Sequence, residues 1–399
     1  MPTRHSELVA ALLGWYARHA RALPWRRARD PYAIWVAEIM LQQTQVKTVL
    51  RYWERWLRAL PDLEALAAAR PETLHKLWEG MGYYARARNL QRAARIIVRE
   101  HGGRFPDDYQ AVLALPGIGP YTAGAICSIA FNQPRPILDG NASRVLARLF
   151  AVEGDPRAKP ARSTLWQLAE TLVRRAAKTP APHGAPRCCH FNQALMELGA
   201  LVCTPRQPRC GACPVAGACL ARQQRRVQEL PSARRRAPPT PRRFAAFVLR
   251  QRGRFLLRQR PPGVVNARLW EFPNVELAPG GADLERAAQD ALGCAPAALE
   301  PLCVIRHTIT RYRITLEVFR ARLARPRPAR PLPGRWLSFR QLDRLPFPSA
   351  HRAIIRRLSH AHTAEWGTGP VDARQADRLS RSIRSALPDG SKKDAQARI

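Results

Sequence analysis

Acidic residues are scarce in this 399-residue chain and lysine is nearly missing: 30 carboxylates face 66 basic side chains, of which only six are lysines. The resulting charge of +36 and pI near 11.4 make a polyanion the expected partner, nucleic acid ahead of a membrane surface. A long apolar run is also lacking. The longest uncharged stretch, Tyr109–Pro134, is broken by Pro116, Gly117, Gly119 and Pro120, which excludes a membrane-spanning helix there. Met1–His5 followed by Glu7 has none of the shape of a secretory signal, so a cytoplasmic, nucleoid-associated location without membrane contact is expected. In that reducing setting the nine cysteines are not expected to be disulfides. No internal repeat is visible. Hydrophobic residues, at 46%, are present in ordinary measure, which excludes wholesale disorder and, with the length, predicts two or three domains.

Residues 6–200 alternate apolar positions at three- and four-residue spacing with Pro and Gly at the joints, and strand-like alternation is nearly absent. Helices are predicted over Ser6–His19, Ile34–Leu57 in one or two pieces, Leu90–His101, Asp107–Ala114 and Tyr121–Phe131. An all-α domain over 1–228 follows, then a Pro/Arg-rich linker over 229–243. The texture then changes: Phe244–Leu249, Arg254–Arg258, Val304–Ile305 and Arg313–Arg320 read as strands and Ala282–Leu292 as a helix, giving an α+β domain over 244–357. Residues 358–399, rich in Ser, Arg and Asp, are expected to be a disordered tail.

Five clusters carry chemistry. Cys203, Cys210, Cys213 and Cys219 are spaced to wrap one centre, a [4Fe-4S] cluster or a structural zinc ion. Leu115-Pro116-Gly117-Ile118-Gly119-Pro120 lies between two helices, where Gly117 and Gly119 would turn the chain and aim backbone N–H groups at a phosphate. Asp139-Gly140-Asn141 is a helix N-cap, and its carboxylate could also face a cationic transition state. Glu38, inside Trp35–Leu41, is either a surface residue or a buried acid with a raised pKa. The polar run Gln42–Gln45 behind it suits wedging into a base stack. Gly80–Asn89 joins tyrosines to arginines, fitting a stacked base with phosphates nearby, or two ordinary core tyrosines.

Together with Leu23-Pro24-Trp25-Arg26, Phe191–Gly199 and Trp270-Glu271-Phe272-Pro273, these segments resemble the MutY family of adenine DNA glycosylases, in the helix-hairpin-helix superfamily, over about residues 6–357. The resemblance implies a helical glycosylase domain with a [4Fe-4S] loop and a Nudix-like second domain, here without the acidic helix that pyrophosphate hydrolysis requires. It implies a monomer acting on duplex DNA with adenine opposite 8-oxoguanine or guanine. Glu38 would protonate a flipped adenine, Asp139 would stabilise the cationic sugar with Asn141 beside it, and Arg26 and Gln193 would face the base. Tyr121 stands where bifunctional relatives carry a Schiff-base lysine, so base removal without strand cleavage is expected. Gln43 and Tyr83 would fill or flank the stack around the opposite purine. The family's Phe-Ser-His loop is replaced by Ile309-Thr310-Arg311, leaving Thr310 as the retained hydroxyl contact to 8-oxoguanine. Two rivals are an endonuclease III-like lyase and a non-catalytic Fe–S DNA-binding module. Tyr121 weighs against the first, and the presence of both Glu38 and Asp139 against the second.

Overall fold

The computed structural model describes residues 2–27, 29–179, 186–232, 237–278, 283–324 and 331–361. The chain forms two compact units, Met1–Leu77 with Tyr84–Arg236, and Trp78–Tyr83 with Ala237–Ile399. This division departs from the sequence expectation in three places. Residues 78–83 group with the second unit, where the Glu79 carboxylate accepts from the Phe347 amide (3.1 Å) and Arg352 Nε (2.7 Å). The supposed linker contains the start of a strand, Thr240–Gln251, while its residues 233–236 lie outside the described residues. The last helix, Ser349–Ala361, continues past 357 because Ile354, Ile355 and Leu358 bury one face; the rest of the expected tail, 362–399, lies outside the described residues. No helix among the described residues is long and apolar enough to cross a membrane.

The described part of the first unit contains helices and no strand. The stretch read as one or two helices is two, Pro31–Leu41 and Val46–Ala59. Asp30 starts the first by accepting from the Tyr32 (3.0 Å) and Ala33 (3.1 Å) amides, with Pro31 preset at the first position. Its residues Tyr32 to Met40 are all buried, so the helix has no solvent face. Arg86 closes its other end by donating to the carbonyls of Ile39 (2.9 Å) and Met40 (3.2 Å), orphan acceptors that a helix terminus otherwise exposes. Helix Arg187–Leu201 is central, packing against helices Pro2–His19, Pro120–Phe131, Gly140–Leu149 and Lys159–Lys178. Leu12, Trp15, Val145, Leu172, Phe191 and Leu195 form that core, each such side chain worth about 1.5–3 kcal/mol of transfer free energy.

The second unit is a mixed sheet between two helix-covered faces. Its strands are β1 (Thr240–Gln251), β2 (Arg254–Gln259), β3 (Trp270–Glu271), β4 (Asn274–Glu276), β5 (Ala298–Ile309), β6 (Tyr312–Arg322) and β7 (Arg335–Ser338). The order is β3-β2-β1-β6-β5, with β4 also on β1 and β7 on β2; β1 and β6 run parallel and the other pairs antiparallel. Side chains of β1 alternate between two cores: Ala245, Phe247 and Leu249 pack with helix Leu284–Leu292, and Ala246 and Val248 with helix Ser349–Ala361. Burial on both faces explains why β1 reads as a continuous apolar run. β5 and β6 meet in a two-residue hairpin, Thr310-Arg311, between the paired Ile309 and Tyr312.

Candidate active site

A cavity of about 570 Å³ opens within the first unit, lined by residues of six helices and the loops that join them. Helix Pro31–Leu41 supplies Glu38; the first turn of helix Pro120–Phe131 supplies Tyr121; the start of helix Gly140–Leu149 supplies Asp139 and Asn141. Helix Arg187–Leu201 contributes Gln193 and Glu197, and the short helix Pro24–Arg27 contributes Arg26.

Glu38 is buried, which settles the choice left open by its sequence context. Burial pushes its carboxyl up to about 7, opposed by the Tyr121 hydroxyl, which donates to Oε2 at 2.7 Å, and reinforced by the nearby Asp139 carboxylate. Tyr121 itself is held well above the ordinary tyrosine value by burial and by the same two carboxylates, so it remains a neutral donor. Asp139 is the N-cap read from sequence and also faces the cavity. It accepts from the Ala142 amide at 2.6 Å as the N-cap, and it lines the cavity, where burial raises its pKa.

Two features hold the other walls. Glu197, buried on the same helix face as Gln193, accepts from Arg21 Nη2 (2.6 Å) and Arg26 Nη2 (2.8 Å). Burial alone would raise its pKa, but the hydrogen bonds from both arginines win and hold it at about 2. Gln193 is gripped at both ends: Tyr16 donates its hydroxyl to Oε1, and Nε2 donates to Cys189 Sγ at 3.1 Å. Tyr16, Cys189 and Glu197 were assigned no role from sequence. Glu197 was legible, four residues after Gln193 and therefore one turn away on the same face; nothing local announces the Tyr16 contact. Asn141 accepts from Arg144 Nη2 (2.8 Å), which also donates to the Gly199 carbonyl (2.8 Å). Gly199 must be glycine, since a Cβ there would lie 2.7 Å from that of Asn141.

Gln43 lines the cavity with a left-handed backbone (φ 58°), unusual for a side-chain-bearing residue. Tyr83 and Thr310 lie in the second unit. Tyr83 is 47% exposed with φ 48°, and Thr310, at the hairpin tip, has φ 51° and donates its hydroxyl to the Ile309 carbonyl at 2.8 Å. In the hairpin between helices, only Gly117 needs its glycine conformation (φ 80°), where a Cβ would also strike Asn89. Gly119 has ordinary extended backbone (φ −105°) and acts as the N-cap of helix Pro120–Phe131, with open space where its Cβ would be. That corrects the expectation that both glycines make the turn. Arg86 is also corrected: it is buried against the Glu38 helix and is not displayed for phosphates.

Cys203, Cys210, Cys213 and Cys219 line one common cavity beside Val145, Leu198 and Val202, and all nine cysteines are free thiols. Among the described residues, no three His, Cys, Asp or Glu side chains close on a point that would hold a single ion. Four cysteines around one cavity are a ligand set that serves a [4Fe-4S] cluster or a structural zinc ion.

Known proteins match along most of this chain. Residues 36–171 match the HhH-GPD superfamily of base excision DNA repair proteins, residues 203–219 the iron-sulfur binding domain of endonuclease III, and residues 245–357 the NUDIX domain. The chain is 37% identical to the adenine DNA glycosylase of Rattus norvegicus over 404 aligned positions, covering 86% of this chain and 76% of that protein. It is 47% identical to the Homo sapiens adenine DNA glycosylase over 229 positions, 55% of this chain and 40% of that one. Among solved structures, a thermostable thymine-DNA glycosylase superimposes with a TM-score of 0.49 at 31% identity, covering 56% of this chain and 98% of that one. Buried paired carboxylates, an iron-sulfur loop and a Nudix-like sheet thus occur together in a chain that belongs to the adenine DNA glycosylase family, base-excision repair enzymes with a [4Fe-4S] cluster.

Proposed function

We propose that this enzyme hydrolyses the N-glycosidic bond of adenine mispaired with 8-oxoguanine or guanine in duplex DNA, acting as a monomer and leaving the strand intact. The observation that carries this reading is that Glu38, its carboxyl pushed up to about 7 by burial, shares one cavity with Asp139. Glu38 hands its proton to N7 of the extruded adenine, improving the base as a leaving group, and then assists the attacking water. Asp139 opposes the positive charge that develops on the sugar, with Asn141 beside it. Arg26, fixed by Glu197, and Gln193, fixed by Tyr16 and Cys189, contact the base edge. Tyr121 offers a phenol where a lyase needs an amine, so no Schiff base forms with the sugar.

Gly117 and Gly119 approach a backbone phosphate, the open space over Gly119 favouring close contact. Gln43 and Tyr83 address the opposite purine, and Thr310 contacts 8-oxoguanine. Cys203, Cys210, Cys213 and Cys219 ligate the cluster.

The test is a substrate panel: duplexes carrying adenine opposite 8-oxoguanine, guanine and cytosine, each incubated with protein and then treated with alkali. Cleavage of the adenine strand only after alkali, fastest opposite 8-oxoguanine, is expected. Cleavage without alkali would favour a lyase, and binding with no abasic product would favour a non-catalytic DNA-binding module.

A further inference from the structure

Beside the cysteine loop of the first unit lies a buried cation that forms no ion pair with a carboxylate among the described residues. Arg148, on helix Gly140–Leu149, is 2% exposed. Its Nε donates to the Leu230 carbonyl at 2.9 Å, Nη1 to the Thr204 carbonyl at 2.8 Å and to Cys203 Sγ at 3.3 Å, and Nη2 to the Pro205 carbonyl at 3.2 Å. Its own carbonyl lies 3.4 Å from Cys219 Sγ.

A buried guanidinium without a counter-ion is strongly unfavourable, since carbonyl dipoles satisfy its N–H groups but not its net charge. The side chain lines the same cavity as the four cysteines. When these ligate as thiolates, their negative charges exceed the positive charge of a [4Fe-4S] core, and the centre as a whole is anionic. The hydrogen-bond geometry has a second consequence. Thr204 and Pro205 follow the first cysteine of the set, while Leu230 lies beyond the last. One side chain therefore ties together both ends of the segment that contains all four.

Resting on the assignment of those cysteines as ligands, we infer that Arg148 is the counter-cation of the cluster and the clasp that closes its binding loop. It is a positioning residue, touching neither DNA nor the reacting atoms. Its charge favours the more reduced, more negative form of the cluster and so raises the reduction potential. Its forked donors hold the loop against opening. A lysine would keep the charge but not the fork.

The experiment compares full-length holoprotein of wild type, Arg148→Lys and Arg148→Met for iron content, rate of cluster bleaching by a chelator, and cluster potential by voltammetry. We expect Arg148→Lys to bleach at least several-fold faster with a potential near wild type, and Arg148→Met to bleach faster still with a more negative potential. Where Arg148→Met yields no folded protein, Arg148→Gln, which keeps donors without charge, provides the same comparison. A neutral variant with wild-type potential overturns the counter-cation role, and Arg148→Lys bleaching at the wild-type rate overturns the clasp. Iron-free wild-type protein would overturn the ligand assignment and this inference with it, whereas variants matching an iron-loaded wild type overturn this inference alone.

Discussion

The Tyr121 hydroxyl donates to Oε2 of Glu38 at 2.7 Å, joining the first turn of one buried helix to the middle of another. Burial drives the Glu38 carboxyl toward its neutral form while this bond favours the ionised form, and the balance falls near neutral pH. A general acid whose pKa lies close to the operating pH is well placed both to give and to retake a proton.

Replacing that acid should separate binding from chemistry. Glu38→Gln is expected to bind mismatched duplex as wild type does while losing about 10²–10⁴-fold or more in single-turnover adenine excision. Near-wild-type rates would remove Glu38 from the acid role.

Tyr121→Phe should displace the pH dependence in a defined direction. The hydroxyl lowers the Glu38 pKa, so its loss raises that pKa further. The alkaline limb of the excision profile, expected near pH 7 in wild type where Glu38 gives up its proton, should move to higher pH in the variant. An unmoved limb would show that another group sets it.

Glu197 is a stability prediction. Glu197→Ala leaves Arg21 and Arg26 facing a buried site without their shared carboxylate, a loss on the order of 3 kcal/mol. Because the folded-state pKa is depressed to about 2 from 4.5, the stabilisation by Glu197 is present in full above pH 4.5 and is lost as pH falls toward 2. Denaturant midpoints of wild type and variant should therefore converge in acid; midpoints that stay equally far apart would refute the ion-pair explanation.

At the tip of the β5–β6 hairpin, a β-branched residue occupies backbone that favours glycine (Thr310, φ 51°). Thr310→Gly should stabilise the protein by about 1 kcal/mol, while both Thr310→Gly and Thr310→Ala should weaken the preference for 8-oxoguanine over guanine opposite the adenine. An unchanged preference in Thr310→Ala would end the proposal that this hydroxyl reads the oxidised base.

Legibility followed the range of the interactions. Helix Pro120–Phe131 and the capping aspartate at 139 are set by neighbours within a few positions, and their sequence signals were plain. Glu38 was ambiguous because its helix is apolar on every side, so periodicity marked no face for it; burial is decided by the surrounding elements. Tyr16 and Gln193 are far apart in sequence, and a tyrosine in an amphipathic helix carries no mark of its partner. The Gly80–Asn89 cluster read as tyrosines and arginines around a stacked base or as ordinary core; for Arg86 the carbonyls at the end of helix Pro31–Leu41 decide it, and they lie far away in sequence. Thr240–Arg243 read as linker because Pro and Arg suggest extended, solvated chain. Parallel pairing with Tyr312–Thr315 makes it strand.

A helix with no outward face, whose one carboxyl opens only into a cavity, also bears on what the proposed enzyme would leave alone. On that reading a base still seated in the double helix lies out of reach of Glu38, and an adenine must first be carried into the cavity to receive the proton. Correctly paired adenines would then be spared in the first place by inaccessibility.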